Sequence, residues 1–136
     1  MIKKPTLTAA MTPFPHSVQI DSPIAQATKL MAQHRIHHLP VADGGAIVGI
    51  ITFRDTAEPP SPSAVVGDGH TPDPYLVDLA TPLDEVLFHM AESQIGHTVV
   101  THHGRLAGIF TVVDACRTFA AHLRALYRVP SEDSVA

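Results

Sequence analysis

Gly49-Ile50-Ile51-Thr52-Phe53-Arg54-Asp55 and Gly108-Ile109-Phe110-Thr111-Val112-Val113-Asp114 follow one pattern: Gly, two apolar residues, Thr, two free positions, Asp. The apolar pair reads as the end of a buried strand, and an Asp just beyond it suits the first turn of a helix. The Thr between them falls near a helix N-terminus, where unpaired N–H groups and the helix dipole favour an anion. The carboxylate one turn on can accept hydrogen bonds from hydroxyls such as a ribose diol. A single Gly-x-x-Thr-x-x-Asp equally describes a capped helix in which Thr52 or Thr111 caps and Asp55 or Asp114 complements the dipole. Two copies in matching context carry more.

That context is nearly the whole chain. An offset of 59 carries Thr12–Asp55 onto Thr71–Asp114 without a gap, with 15 of 44 positions identical. The identities include Thr12/Thr71, Pro23/Pro82, Met31/Met90, Ile36/Ile95, His38/His97 and Gly45/Gly104, besides both endings. Two repeats are too few for a solenoid, so they point to one globular unit of two pseudo-symmetric halves.

Composition narrows the class. Apolar residues make up 45% and charged residues only 16%, low for an isolated surface and suggestive of a buried interface. A net charge of −4 argues against a general nucleic-acid footprint. The single cysteine, Cys116, excludes an internal disulfide and fits a reducing compartment. Met1–His16 lacks an apolar run of signal-peptide length, and nothing later approaches a membrane span. A cytoplasmic location is expected.

In chain order, Met1–Ala10 reads as an arm with little pattern and Met11–Pro15 as a stiff lead-in. His16–Ile20 reads as a short strand, and Ser22 and Pro23 as cap and first position of a helix with Ile24, Ala27, Leu30 and Met31 on one face. Leu39–Ala42 and Ala46–Thr52 read as strands joined by a hairpin turn at Asp43-Gly44-Gly45. In the second half, Leu76–Leu79, a helix from Thr81-Pro82 with Leu83, Val86, Leu87 and Met90 inward, and strands Thr98–Thr101 and Arg105–Thr111 repeat the plan. Its last helix is long, with Val113, Cys116, Phe119, Ala120, Leu123 and Tyr127 on one apolar face. After Asp55, Pro59, Pro60 and Pro62 leave room for about one helical turn. The expected fold is α+β, with two β-α-β-β-α repeats at residues 10–58 and 71–128, a Pro/Gly/Ser-rich linker at 59–70 and a frayed tail at 129–136.

Met11-Thr12-Pro13, the run Arg35-Ile36-His37-His38-Leu39-Pro40-Val41 and both endings resemble the tandem cystathionine-beta-synthase (CBS) domain pair, or Bateman module. The resemblance covers about residues 10–127 and implies two repeats packed through their sheets, clefts that hold adenine nucleotides such as AMP, ADP or ATP, and further pairing into a homodimer. It departs from the pattern in the truncated helix after Asp55 and in Val99, where Pro is usual. By similarity, Thr52 and Thr111 would contact phosphate, and Asp55 and Asp114 the ribose. The backbone at Thr12 or Thr71 would face adenine, with Ile36, Ile50, Ile95 and Ile109 as apolar walls. His37, His38 and Arg54 surround the first motif, whereas the second has Gly96, His97 and Val113, so the first cleft should bind phosphate better.

Ten histidines raise the question of a metal, yet adjacent strand neighbours such as His37/His38 point to opposite faces and chelate poorly. No nucleophile–base pair can be placed, and the repeats occupy nearly all of the chain, so neither a catalytic cofactor nor an enzyme is expected. The expectation is a sensor that passes nucleotide occupancy to a regulated protein, without nucleic-acid or membrane partners. The alternative is a structural dimerisation adaptor with empty clefts.

Overall fold

The computed structural model describes residues 4–128; the tail expected at 129–136 lies outside the described residues. The chain forms α1 (Leu7–Ala10), β1 (Thr12–Pro13), β2 (Val18–Gln19), α2 (Ile24–His34), β3 (His38–Asp43), β4 (Ala46–Thr52) and α3 (Phe53–Ala57). The same series recurs as α4 (Val66–Gly69), β5 (Thr71–Pro72), β6 (Leu76–Asp78), α5 (Leu83–Ser93), β7 (His97–His102), β8 (Arg105–Thr111) and α6 (Val112–Tyr127). This is the α+β plan expected from the repeat. Two four-stranded sheets result, ordered β2-β3-β4-β5 and β1-β8-β7-β6.

Those orders show an exchange between the halves. β1 pairs antiparallel with β8 (Thr12 opposite Ile109), and β5 with β4 (Thr71 opposite Ile50). Each lead-in strand therefore completes the other half's sheet. Two devices receive it. Both hairpins carry a bulge at equivalent places, so Val48 and Ala107 are left out of the ladder. Their carbonyls accept the amides of Asp73 and Phe14, each at 3.1 Å. Beside each bulge stands a glycine: a Cβ on Gly49 would lie 2.7 Å from the Thr71 carbonyl oxygen, and one on Gly108 would overlap the Thr12 carbonyl oxygen. Only a residue without a side chain lets the backbones approach so closely.

Two regions read as unpatterned prove to be built into the core. Leu7 and Ala10 of α1 are buried with Val77, Leu83, Val86, Met90, Val100 and Phe110. Ala64 and Val66, in and beside α4, are buried with Ile24, Ala27, Met31, Leu39, Val41 and Ile51. The arm and the linker are thus equivalent first turns of the two repeats. The expected limits at 10 and 71 cut each repeat short, because Leu7/Val66 and Ala10/Gly69 share little beyond small or apolar character. Like the lead-in strands, both turns pack on the opposite half.

Helix starts and faces differ in part from the expectation. Ser22 does not cap; the N-cap positions are Pro23 and Pro82, with no side-chain cap bond. Leu87 is partly exposed rather than inward, whereas the apolar face of α6, expected to be left over for a second chain, is indeed turned outward, with Val113 63% and Tyr127 76% exposed. Within β3, β4, β7 and β8, alternation turns Pro40, Ile50, Val99 and Ile109 away from the helix-covered faces, yet all four are buried. Their cover is the partner sheet.

The glycine requirement is directly measurable. Gly108→Ala should cost about 1–3 kcal/mol in urea denaturation, because the added methyl meets fixed backbone. Gly45→Ala, where a Cβ would meet nothing within 4 Å, should change stability by less than about 0.5 kcal/mol.

Candidate functional site

Each motif ends a strand and starts a helix, and each forms a reciprocal capping box. In the first, the Asp55 amide donates to Thr52 Oγ1 at 3.2 Å and the Thr52 amide to Asp55 Oδ2 at 2.8 Å. In the second, the Asp114 amide donates to Thr111 Oγ1 at 3.3 Å, and Asp114 Oδ2 accepts from the Thr111 amide at 3.0 Å and hydroxyl at 3.2 Å. The capping role is therefore present in both. The carboxylates differ in what remains. Asp114 is 4% exposed, and its Oδ1 accepts the Thr12 hydroxyl at 3.1 Å and Arg117 Nη1 at 3.2 Å. Asp55 is half-buried, and its Oδ1 accepts no hydrogen bond among the described residues.

The strand exchange decides which residues meet. Thr12 belongs with Thr111 and Asp114, across the pseudo-symmetry from its own repeat. Thr71, exposed on β5, lies beside the Thr52 end of β4. His37 and Arg54 are exposed near Asp55, and the described residues contain no ion pair of Arg54. Sequence reading passed over Phe53. It is 53% exposed, and its ring centroid lies 5.7 Å from that of His37. Its only signal was a large aromatic at a free position of the motif, where the second copy has Val112. Ile50 and Ile109 are 0% and 3% exposed, so they lie between the sheets and offer a ligand almost no surface. Ile36 and Ile95 are half-buried against the two cores.

His38 and His97 bring the two halves together. His38 stands opposite Thr52 and His97 opposite Thr111, so each shares a sheet face with its motif threonine. Their ring centroids are 5.3 Å apart, tilted by 54°. Burial lowers the His38 pKa to about 4; His97 and His37 push the same way, against Asp114 and Asp55. His97 is also lowered, by burial, with Asp55 acting against it. Both are therefore neutral near pH 7. Among the described residues, the buried His97 Nδ1 has no hydrogen-bond partner.

The deeper concavities lie elsewhere. One of about 650 Å³ runs along Lys4–Thr8 to Pro82, Leu83 and Leu87, and another of about 510 Å³ lies between α1 and α6. Neither contains a residue predicted to bind ligand, and their walls are largely apolar. The motifs lie instead where the halves meet, with Thr12 bonded to Asp114 and His38 beside His97. Among the described residues no three His, Cys, Asp or Glu are grouped to hold a metal ion, and no helix is long and apolar enough to cross a membrane.

The histidine pair sets a pH dependence of stability. In the unfolded chain His38 takes a proton near pH 6.5, but in the fold only near pH 4. Its contribution is complete above pH 6.5 and is lost as pH falls toward 4. The urea midpoint should accordingly drop between pH 7.5 and pH 5, and His38→Asn should flatten that fall.

The model of the CBS domain family matches residues 7–58 and 66–121, so its two segments begin at α1 and α4. The chain is 35% identical over 113 residues to an inosine-5'-monophosphate dehydrogenase of Mycobacterium leprae (strain TN), covering 81% of this chain and 21% of that one. It thus spans about a fifth of the length of such relatives. The CBS domain pair of protein MJ0100, solved with 5'-methylthioadenosine and S-adenosyl-L-methionine, superposes with a TM-score of 0.75 at 27% identity, covering 86% of this chain and 97% of that one. CBSX2 in complex with AMP superposes with a TM-score of 0.68 at 25% identity, covering 85% and 96%. The chain belongs to the CBS domain family and carries two CBS domains packed as a tandem pair.

Proposed function

We propose that the pair is a regulatory module whose first cleft binds an adenine nucleotide and passes its occupancy to a partner protein. The observation that carries this reading is the inequality of the two carboxylates. Asp55 Oδ1 has an open acceptor position beside Arg54, whereas Asp114 is saturated by Thr12, Thr111 and Arg117. A ribose diol at Asp55 gains charge-assisted hydrogen bonds at once. At Asp114 it must first displace donors already in place. Arg54 supplies a permanent positive charge for phosphate, and the exposed Phe53 ring offers a flat apolar surface to a base. Relatives solved with AMP or with adenosyl thioethers support the ligand class. Nothing in this arrangement requires bond-making chemistry of the chain itself, and the reading is of a binding protein.

Calorimetry tests the assignment. Asp55→Ala should cost AMP or ATP about 1.5–3 kcal/mol, which is about ten- to a hundredfold in affinity. Thr52→Val should cost about 0.5–1.5 kcal/mol, and Asp114→Ala less than Asp55→Ala. Arg54→Ala should weaken nucleotides in order of phosphate count and leave adenosine nearly unaffected. Unchanged binding by Asp55→Ala would reduce the first motif to a capped helix.

The outward apolar faces favour a second, compatible reading, in which pairing of two chains is part of the function. Phe88 on α5 and Val113, Phe119, Leu126 and Tyr127 on α6 are exposed. Exposed aromatic and aliphatic side chains of this kind are what pairing of two chains would cover. Covering them in a homodimer would require an interface of standard size or larger. Light scattering at tens of micromolar should give twice the chain mass of 14.6 kDa. A monomer alone would remove this reading and leave the nucleotide reading standing.

A further inference from the structure

We propose that His38 and His97 form one proton site shared by the two clefts, so that phosphate bound in either cleft recruits the same single proton. The inference rests on the reading that the clefts take phosphate-bearing ligands. Three observations carry it. The rings lie 5.3 Å apart at the junction of the halves, each on the sheet face of one motif threonine. The pair is half-buried, and among the described residues His97 Nδ1 has no hydrogen-bond partner. Both motif carboxylates also act on it: Asp55 bears on both rings and Asp114 on His38.

The charged surroundings are few. His37 neighbours His38 on the strand, Asp55 and Arg54 stand at the start of α3, and Asp114 with its partner Arg117 at the start of α6. Without ligand, the positive charge of a protonated ring would be poorly hydrated, and the pair stays neutral at pH 7. An anionic phosphate beside either ring reverses that balance, because the imidazolium then gains both an ion pair and a charged donor. A second proton meets the first across about one ring separation in a half-buried site, where repulsion is only weakly screened. The pair therefore accepts one proton, not two. A cleft filled first draws that proton toward its own side, and the other cleft then faces a neutral imidazole. Phosphate-bearing ligands are made to compete through the pair, whereas adenosine, with no phosphate, is indifferent to it.

Titration calorimetry of the full chain with AMP and with adenosine, at pH 7.5 in HEPES and in Tris, reads the proton directly. The difference in apparent heat between the buffers counts protons taken up per ligand. Uptake for AMP should approach one per chain at saturation and not exceed it, adenosine should show none, and AMP affinity should rise about thirtyfold from pH 8 to pH 6.5. Either single variant, His38→Asn or His97→Asn, should still take up at most one proton through the ring that remains, and the double variant should take up none, with AMP's own titration cancelling in the comparison with the parent. Should the double variant fail to fold, the parent's buffer dependence still decides. AMP heat without a buffer dependence, an uptake of two protons, or uptake unchanged in the double variant would overturn the shared site alone. No AMP heat at any pH would overturn the nucleotide reading and this inference with it.

Discussion

The architecture depends on one close backbone contact made twice, where a bulged carbonyl meets an incoming amide: Ala107 with Phe14, and Val48 with Asp73. A bulge frees a carbonyl that the ladder would otherwise occupy. The glycine next to it removes the Cβ that would keep the visitor out. Together they let each half take its outer strand and first helical turn from the other. The exchanged pieces also place Thr12 against Asp114 and Thr71 near Thr52. Which residues stand beside each motif thus follows from the contact that holds the halves together.

Much of the fold was legible in the sequence because its signals are local and doubled. The endings at Gly49–Asp55 and Gly108–Asp114, the hairpin glycines and the apolar face of α2 all repeat at one offset. The exchange was not legible, and for a physical reason. An offset relates Thr12 to Thr71 equally well whether each stays with its own half or crosses to the other. Likewise α1 and α4 escaped because a four-residue turn that buries Leu7 or Val66 needs only one apolar side chain to hold it, too little to form a periodic pattern. For α6 the apolar periodicity was real, but period alone does not say whether a face meets the core or water.

The candidate residues show the same division. That Thr and Asp come together at both endings was readable from their spacing, since a capping box is a local structure. The differing states of the two carboxylates were not readable. Asp114 is occupied by Thr12, distant in sequence, and by Arg117, one turn along a helix that the first repeat cannot extend past its prolines. Nor could spacing bring His38 to His97, which meet only because two sheets pack face to face.

The exchange also bears on how the chain acquires its structure during synthesis. Thr12 emerges early, yet its partner Ile109 lies in the last sheet strand to be made. The first sheet is incomplete until Thr71 and Pro72 appear, and the second cannot close until nearly the whole chain is available. Contacts of such long sequence separation slow folding. A half made alone would also present β4 or β8 with an open hydrogen-bonding edge, the kind that pairs with other chains. Neither repeat is a self-sufficient unit of folding, although each is a complete unit of the sequence pattern. The pair, rather than the single repeat, is the smallest piece that can be moved, duplicated or fused without leaving raw edges.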